Sequence, residues 1–116
     1  MDIPALQHQL RQFADERDWQ QFHSPKNLAI ALSVEAAELL ERFQWLTDEQ
    51  SRRLAETPPD YEAVRQEMAD VLIYLLRLAD QLGVDLEPAV RDKMRQNAEK
   101  YPVQLAKGNA TKYNRR

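Results

Sequence analysis

Two pairs of acidic residues give this sequence its clearest chemical signal. Glu35 and Glu38 lie three residues apart in one predicted helix, and Glu67 and Asp70 repeat that spacing in another. Residues three apart are neighbours on a helix surface, so each pair presents two carboxylates side by side. If the two helices pack antiparallel, we expect the four carboxylates to converge on one volume, where they need cations to neutralise them.

One acid of each pair lies on the apolar side of its helix. At about 100° per residue, Glu35 falls in the middle of a face of apolar residues, and Glu67 falls on a similar stripe. The first face comprises Leu28, Ala31, Leu32, Leu39 and Leu46, and the second comprises Val64, Val71, Leu78 and Leu82. A carboxylate buried without a partner is costly or becomes protonated. We therefore expect a cation opposite these two side chains.

The donor set favours a hard metal ion. Carboxylate oxygens, without cysteine and without a suitably placed histidine, select Mg²⁺ over zinc, with Mn²⁺ as a substitute. A ferritin-like di-iron site requires Glu-x-x-His on two helices, and neither His8 nor His23 follows a glutamate at that spacing. The alternative for Glu38 is a surface ion pair with Arg42, one turn along the helix.

Helices must position these acids, and the composition agrees. Apolar residues make up 43% of the 116-residue chain, which has only two glycines and is rich in good helix formers. The prediction is an all-α fold in a single domain over residues 1–116, with an extended polar tail from about residue 100. Short loops between long helices predict an antiparallel four-helix bundle. The second and third helices are apolar over more than one face, so we expect a homo-oligomer.

Helix ends are marked by capping residues. Apolar spacing predicts helices over about residues 3–17, 25–45, 61–82 and 86–98, and a short helical piece that ends near residue 54. The predicted caps are Ser24 with Pro25 behind it, Thr47 or Asp48, Asp60 and Asp85 at helix starts, and Gly83 after the third long helix.

Charge and composition exclude several classes of function. The net charge of −3, with basic residues scattered until the tail, does not suit a nucleic-acid binder. No apolar run reaches the roughly 18 residues of a membrane span, and residues 1–5 do not resemble a secretion signal. The absence of cysteine fits a reducing compartment. We therefore expect a cytoplasmic protein with neither nucleic acid nor membrane as a partner.

The residues around the acids resemble a known family. Glu35-x-x-Glu38 followed by Glu67-x-x-Asp70 resembles the metal signature of the all-α nucleoside triphosphate pyrophosphohydrolases, the MazG-like group. The flanking stretches resemble its dCTP pyrophosphatase branch: they are RDWQQFHSPKNL (17–28), ERFQW (41–45), DVLIYL (70–75), KMxxNxxKYP (93–102) and Lys112-Tyr113. The resemblance extends from about Leu10 to Tyr113, and its main departure is a compact segment over residues 47–60.

The resemblance implies both a reaction and a set of site residues. The reaction is Mg²⁺-dependent hydrolysis of a nucleoside triphosphate, dCTP or a modified dCTP, to the monophosphate and pyrophosphate, which cleans the nucleotide pool. The four acids would bind the metal, with Glu38 also activating the water. Lys93, as a catalytic charge, would contact the phosphates together with Asn97 and Lys100. The residues implied for the base are Trp19, His23, Asn27, Trp45 and Tyr74, although the spacing of Tyr74 also suits an ordinary core position.

Two other functions stay open at this point. A related hydrolase with broad NTP or dUTP preference would use the same four acids. A non-catalytic helical interaction module would keep the fold without the chemistry, and metal would not stabilise it. The sequence contains neither a Gly-rich phosphate loop nor a nucleophile elbow, so it does not support a P-loop enzyme or a Ser-His-Asp hydrolase.

Overall fold

The computed structural model describes residues 1–110, and these form helices without any strand. The helices are α1 (Ile3–Glu16), α2 (Pro25–Glu41), α3 (Asp48–Arg52), α4 (Pro58–Leu82), α5 (Leu86–Lys100) and α6 (Val103–Ala106), with 3-10 turns at Gln20–Phe22 and Leu54–Glu56. The prediction of an all-α fold is therefore confirmed. The chain divides into two compact units, Met1–Gly83 and Val84–Arg116. None of the helices within the described range is long and apolar enough to cross a membrane.

The first unit is organised around α4, which packs against both α1 and α2. Near the start of α2, His23 lies beside Arg77 of α4, whereas Arg42, just after α2, lies beside Glu67. Because later residues of one helix meet earlier residues of the other, α2 and α4 are antiparallel. This is the arrangement that the convergence of the two acid pairs requires.

Helix α1 runs parallel to α4. Gln7 donates from Nε2 to the carbonyl oxygen of Leu76 at 3.1 Å, and Arg11 binds the carboxylate of Asp80 with bonds of 3.0 and 2.8 Å. From the first contact to the second, the position moves forward by four residues on both helices. The two helices therefore run in the same direction. The hydrogen bond from Arg11 lowers the pKa of Asp80, because it stabilises the charged carboxylate.

The buried core of the described chain is small. Its buried apolar residues are Ala14, Leu28, Val64, Leu76 and Ala79. Leu28 of α2 and Leu76 of α4 are the largest fully buried side chains. Burying apolar side chains of this size stabilises the packing of helices.

Several predicted caps are confirmed. Ser24 Oγ accepts from the backbone N–H of Asn27 at 3.1 Å, and Pro25 occupies the first position of α2. Thr47, rather than Asp48, caps α3 in a capping box with Gln50. Gly83 ends α4 with φ 66°, a left-handed conformation that glycine adopts without penalty. Asp85 is the N-cap residue of α5, without a side-chain capping bond.

Two predicted boundaries are wrong. Helix α2 ends at Glu41 rather than near residue 45, because the chain tightens into turns in which Phe43 and Leu46 donate to carbonyls three residues back. Helix α4 begins at Pro58 with Thr57 as its N-cap, so Asp60 lies in the first turn. Two prolines suit that start because the first helical N–H groups have no partner within the helix.

The tail is not extended throughout. Residues 103–106 form α6, whose amides donate back to Pro102 and Val103. Pro102 caps this short helix from an extended conformation. Lys112 and Tyr113, which carry part of the resemblance, lie outside the described residues.

Candidate active site

The antiparallel contact of α2 and α4 brings three of the predicted acids together. Glu35 and Glu38 of α2 and Glu67 of α4 each place one carboxylate oxygen within 4.8 Å of the others. All three residues are half-buried. Asp70, also half-buried, is not a member of this group, but it lies close enough for its charge to act on Glu35. We call Glu35, Glu38, Glu67 and Asp70 the acid cluster.

The acid cluster is electrostatically strained. Burial, followed by a hydrogen bond shared with Glu38 and the negative charges of Glu38, Asp70 and Glu67, raises the pKa of Glu35 to about 7. Although Glu35 as a whole is only half-buried, its Oε2 is fully shielded from solvent and has no hydrogen-bond partner among residues 1–110. The carboxylates therefore repel one another at a place where water screens their charges only in part.

Glu67 is only partly compensated. Its Oε1 lies 3.6 Å from Nη2 of Arg42, which is half exposed, while its Oε2 is buried without a hydrogen-bond partner. The predicted alternative for Arg42 was a surface pair with Glu38, whereas the guanidinium lies across the helix pair beside Glu67. One exposed arginine cannot neutralise four carboxylates.

A hard divalent cation fits this arrangement. The cluster offers only oxygen donors, and two of them, Glu35 Oε2 and Glu67 Oε2, are shielded and unpartnered. Buried polar atoms are rarely left unpartnered in proteins unless an ion or a water satisfies them. Carboxylate oxygens are the ligands that Mg²⁺ and Mn²⁺ prefer.

The predicted base-binding residues do not all lie in one place. Trp19 and His23 meet edge to face with ring centroids 6.1 Å apart, and Trp19 is 42% exposed. Asn27 follows them at the start of α2, and its Nδ2 donates to the carbonyl oxygen of Phe22 at 3.0 Å. Trp45 is 86% exposed beyond the end of α2, and Tyr74 is half-buried in α4. Within residues 1–110, no ring contact joins Trp45 or Tyr74 to the Trp19–His23 pair.

The predicted phosphate-binding residues lie in the second unit. Lys93 and Asn97 are exposed and one turn apart on α5, and Lys100 is the last residue of that helix. This spacing puts Lys93 and Asn97 on one side of α5.

One charged residue beside the predicted base contacts was not predicted from the sequence. Arg77 of α4 is 2% exposed and is the only buried charged or polar residue of the described chain. It lies beside Gln20 and His23. Adjacent residues of a helix point to different sides, so the apolar neighbours Leu76 and Leu78 give no signal in the sequence for the burial of Arg77.

Comparison with known proteins assigns the chain to a class. The sequence pattern of the MazG-like family matches residues 30–115, a range that contains the whole acid cluster. The chain therefore belongs to the MazG-like family.

Curated relatives and a solved structure narrow the comparison. The chain is 49% identical to dCTP pyrophosphatase 1 of Bos taurus and 47% identical to dCTP pyrophosphatase 1 of Homo sapiens, over 102 residues in each case. These matches cover 88% of this chain and 60% of each relative. The crystal structure of a pyrophosphatase from Archaeoglobus fulgidus DSM 4304 superposes with a TM-score of 0.80 at 43% identity, covering 88% of this chain and 94% of that one. The resemblance to the dCTP pyrophosphatase branch is thereby confirmed.

Proposed function

We propose that this protein hydrolyses dCTP or a modified dCTP to the nucleoside monophosphate and pyrophosphate, and so cleans the nucleotide pool. The observation that carries the proposal is the acid cluster, in which carboxylates from α2 and α4 converge with two shielded, unpartnered oxygens. The names of the relatives support the substrate. In the reaction, water adds across the α–β phosphoanhydride, that bond breaks, and pyrophosphate leaves.

The acid cluster is the proposed metal site. Glu35, Glu38, Glu67 and Asp70 would hold Mg²⁺, for which Mn²⁺ can substitute. When bound, Mg²⁺ neutralises phosphate charge and makes an attacking water more acidic. The raised pKa of Glu35 shows that the cluster holds a proton readily near neutral pH without the ion.

We assign roles to individual polar residues from the chemistry of their side chains. Glu38 orients the water and accepts its proton, since it is the half-buried acid that shares a hydrogen bond with Glu35. Lys93 stabilises the charge that develops on the phosphates, because a positioned ammonium acts as a point charge. Asn97 and Lys100 extend the same phosphate contact along α5.

The base is proposed to bind near Trp19 and His23. A partly exposed indole offers a flat surface for stacking, worth about 1–3 kcal/mol per base, and the imidazole and the amide of Asn27 can read the edge of a pyrimidine. Trp45 and Tyr74 are the other proposed base contacts, and because Trp45 lies beyond the opposite end of α2 from Trp19 and His23, it would reach the base from a second chain. Trp45 exposes almost its whole side chain, which is costly for an indole unless a ligand or a second chain covers it.

A panel of nucleotides tests the proposed substrate. We expect the purified protein with Mg²⁺ to release pyrophosphate from dCTP faster than from dUTP, dATP or dGTP, with dCMP as the second product. Chromatography of the nucleotide products separates this cleavage from stepwise loss of phosphate. Equal rates on all four nucleotides would instead support a broad hydrolase. No pyrophosphate from any of them would leave only the non-catalytic interaction module.

We also propose that the single MazG-like domain of residues 1–116 is an antiparallel four-helix bundle that assembles as a cytoplasmic homo-oligomer, a dimer or a tetramer. Exposed apolar side chains recur every seven residues along α4, at Tyr61, Met68, Leu75 and Leu82. Such a stripe is typical of a helix that packs against another helix. A purified protein that light scattering finds only as a monomer would contradict the assembly.

A further inference from the structure

Arg77 is a buried cation with an unusual set of partners. Its Nη2 donates to Oε1 of Gln20 at 3.1 Å and lies 3.3 Å from Nδ1 of His23. Gln20 is fixed for this contact, because its Oε1 also accepts from Gln81 and its Nε2 donates to Asp15. The guanidinium is therefore aimed at the loop that carries the proposed base contacts.

Asp80 does not account for the position of Arg77. The two side chains approach to only 3.6 Å, while both oxygens of Asp80 accept hydrogen bonds from Arg11. Nε and Nη1 of Arg77 are buried and have no hydrogen-bond partners in the described part of the chain. Leaving donors unpartnered in this way costs free energy. The side-chain contacts of Arg77 with Gln20 and His23 are both made by Nη2.

The contact with Arg77 determines which nitrogen of His23 carries the proton. A guanidinium has hydrogen-bond donors and no acceptor, so Nδ1 can face Nη2 only as an unprotonated acceptor. In a neutral imidazole the proton then sits on Nε2. His23 thus presents an N–H donor from the side of the ring that does not face Arg77.

The charges around His23 favour the neutral ring. The charged groups in this network are Arg77 and Asp80 of α4, Arg11 of α1, which neutralises Asp80, and Asp15 of α1, which binds Gln20. Burial, and then the positive charge of Arg77, lower the pKa of His23 below 6.5. The ring therefore stays neutral at physiological pH, and its tautomer decides what it can bind.

We propose that Arg77 is a positioning residue that fixes His23 as the Nε2–H tautomer, so that His23 donates a hydrogen bond to an acceptor atom on the base of the nucleotide. The hydrogen bond to the base, unlike the tautomer, rests on the proposed function. Cytosine offers acceptors at O2 and N3, whereas N3 of uracil carries a hydrogen and would oppose the same donor. A site built to donate at that point disfavours a ligand that presents a donor there.

Nitrogen-15 NMR of the wild-type protein without nucleotide or metal tests the tautomer directly. The chain has only two histidines, His8 and His23, and the variant His8→Gln assigns their signals. We expect Nδ1 of His23 to be unprotonated and Nε2 to be protonated at neutral pH, with titration below pH 6.5. A protonated Nδ1 would overturn the proposal, and this result needs neither catalysis nor a variant of Arg77.

Substitution of Arg77 tests its effect on the nucleotide. Arg77→Gln removes the positive charge and presents a carbonyl acceptor as well as an amide donor, so we expect part of the His23 population to move its proton to Nδ1. KM for dCTP should then rise roughly fivefold, about the worth of one hydrogen bond, while kcat changes less than twofold. Arg77→Lys keeps a charged donor and should recover most of the loss. Arg65→Gln, an exposed arginine on the same helix, is the matched control.

The pH dependence separates this role from a purely structural one. Below its pKa, His23 carries a proton on both nitrogens whatever lies beside Nδ1, so the KM ratio of Arg77→Gln to wild type should shrink as the pH falls. A ratio that stays constant with pH, or an Arg77→Gln variant with an unchanged tautomer, would overturn the proposal. If the wild-type protein hydrolysed no nucleotide, the proposed function and the proposed contact with the base would both be contradicted. The spectrum would still decide the tautomer on its own.

Discussion

Glu35→Gln is expected to lower kcat/KM for dCTP by about a thousandfold, the scale of losing a charged group that acts on the transition state. The substitution keeps the shape of the side chain but removes one anionic oxygen from the centre of the acid cluster. It also removes a carboxylate whose charged form is disfavoured by burial and by repulsion from the other acids, the causes that raise the pKa of Glu35 to about 7. The metal-free variant should therefore melt at the same temperature as the wild type or higher. Steady-state pyrophosphate release and thermal melts measure the two effects.

The matched control for this variant is Glu41→Gln, which changes an exposed acid at the end of the same helix. It should keep wild-type activity. Glu67→Gln should behave like Glu35→Gln, because Glu67 contributes the other shielded, unpartnered oxygen. Activity of Glu35→Gln within tenfold of wild type would mean that the acid cluster is not the reaction centre.

Removal of divalent metal is expected to abolish hydrolysis, and Mg²⁺ should restore it. The triphosphate and the acid cluster are both anionic, so without a cation the substrate is repelled from the site. Metal must also displace the proton that Glu35 holds at a pKa of about 7. The Mg²⁺ concentration for half-maximal rate should therefore fall as the pH rises through about 7, because proton and metal compete for the same oxygen. Activity in chelator, followed by titration with Mg²⁺ at several pH values, measures both effects.

Ionic strength is the control for a general screening effect. Adding NaCl in place of Mg²⁺, at matched ionic strength, should leave the chelated protein inactive. Full activity in chelator would contradict the metal requirement. A Mg²⁺ requirement independent of pH would contradict the role given to Glu35.

The acid cluster could be predicted from the sequence because two simple constraints agree. Helical periodicity placed Glu35 and Glu67 on apolar stripes, and antiparallel packing of α2 and α4 then made their carboxylates meet. Helix periodicity is fixed by backbone geometry and does not depend on distant contacts. Asp70 lies outside the group of three acids whose oxygens are within 4.8 Å of one another. Its distance from them depends on how closely the two helices pack, which the sequence pattern does not contain.

The contacts of Arg77 could not be predicted in the same way. Its partners Gln20 and His23 are more than fifty residues away in the sequence, and its burial follows from packing rather than from local propensity. The exact ends of the helices could not be predicted either. The turns after Glu41 and the start of α4 at Pro58 depend on single backbone hydrogen bonds, which compete closely with continuation of the helix.

The most direct test of the account is uptake of Mn²⁺ by the acid cluster. Electron paramagnetic resonance can follow free Mn²⁺ while metal-free protein is titrated in the presence of a dCTP analogue that cannot be cleaved between its α and β phosphates. We expect saturable uptake by the wild type beyond that of the analogue alone, and no such uptake by the double variant Glu35→Gln/Glu67→Gln. Equal uptake by both proteins would show that the ion binds elsewhere and would contradict the central claim.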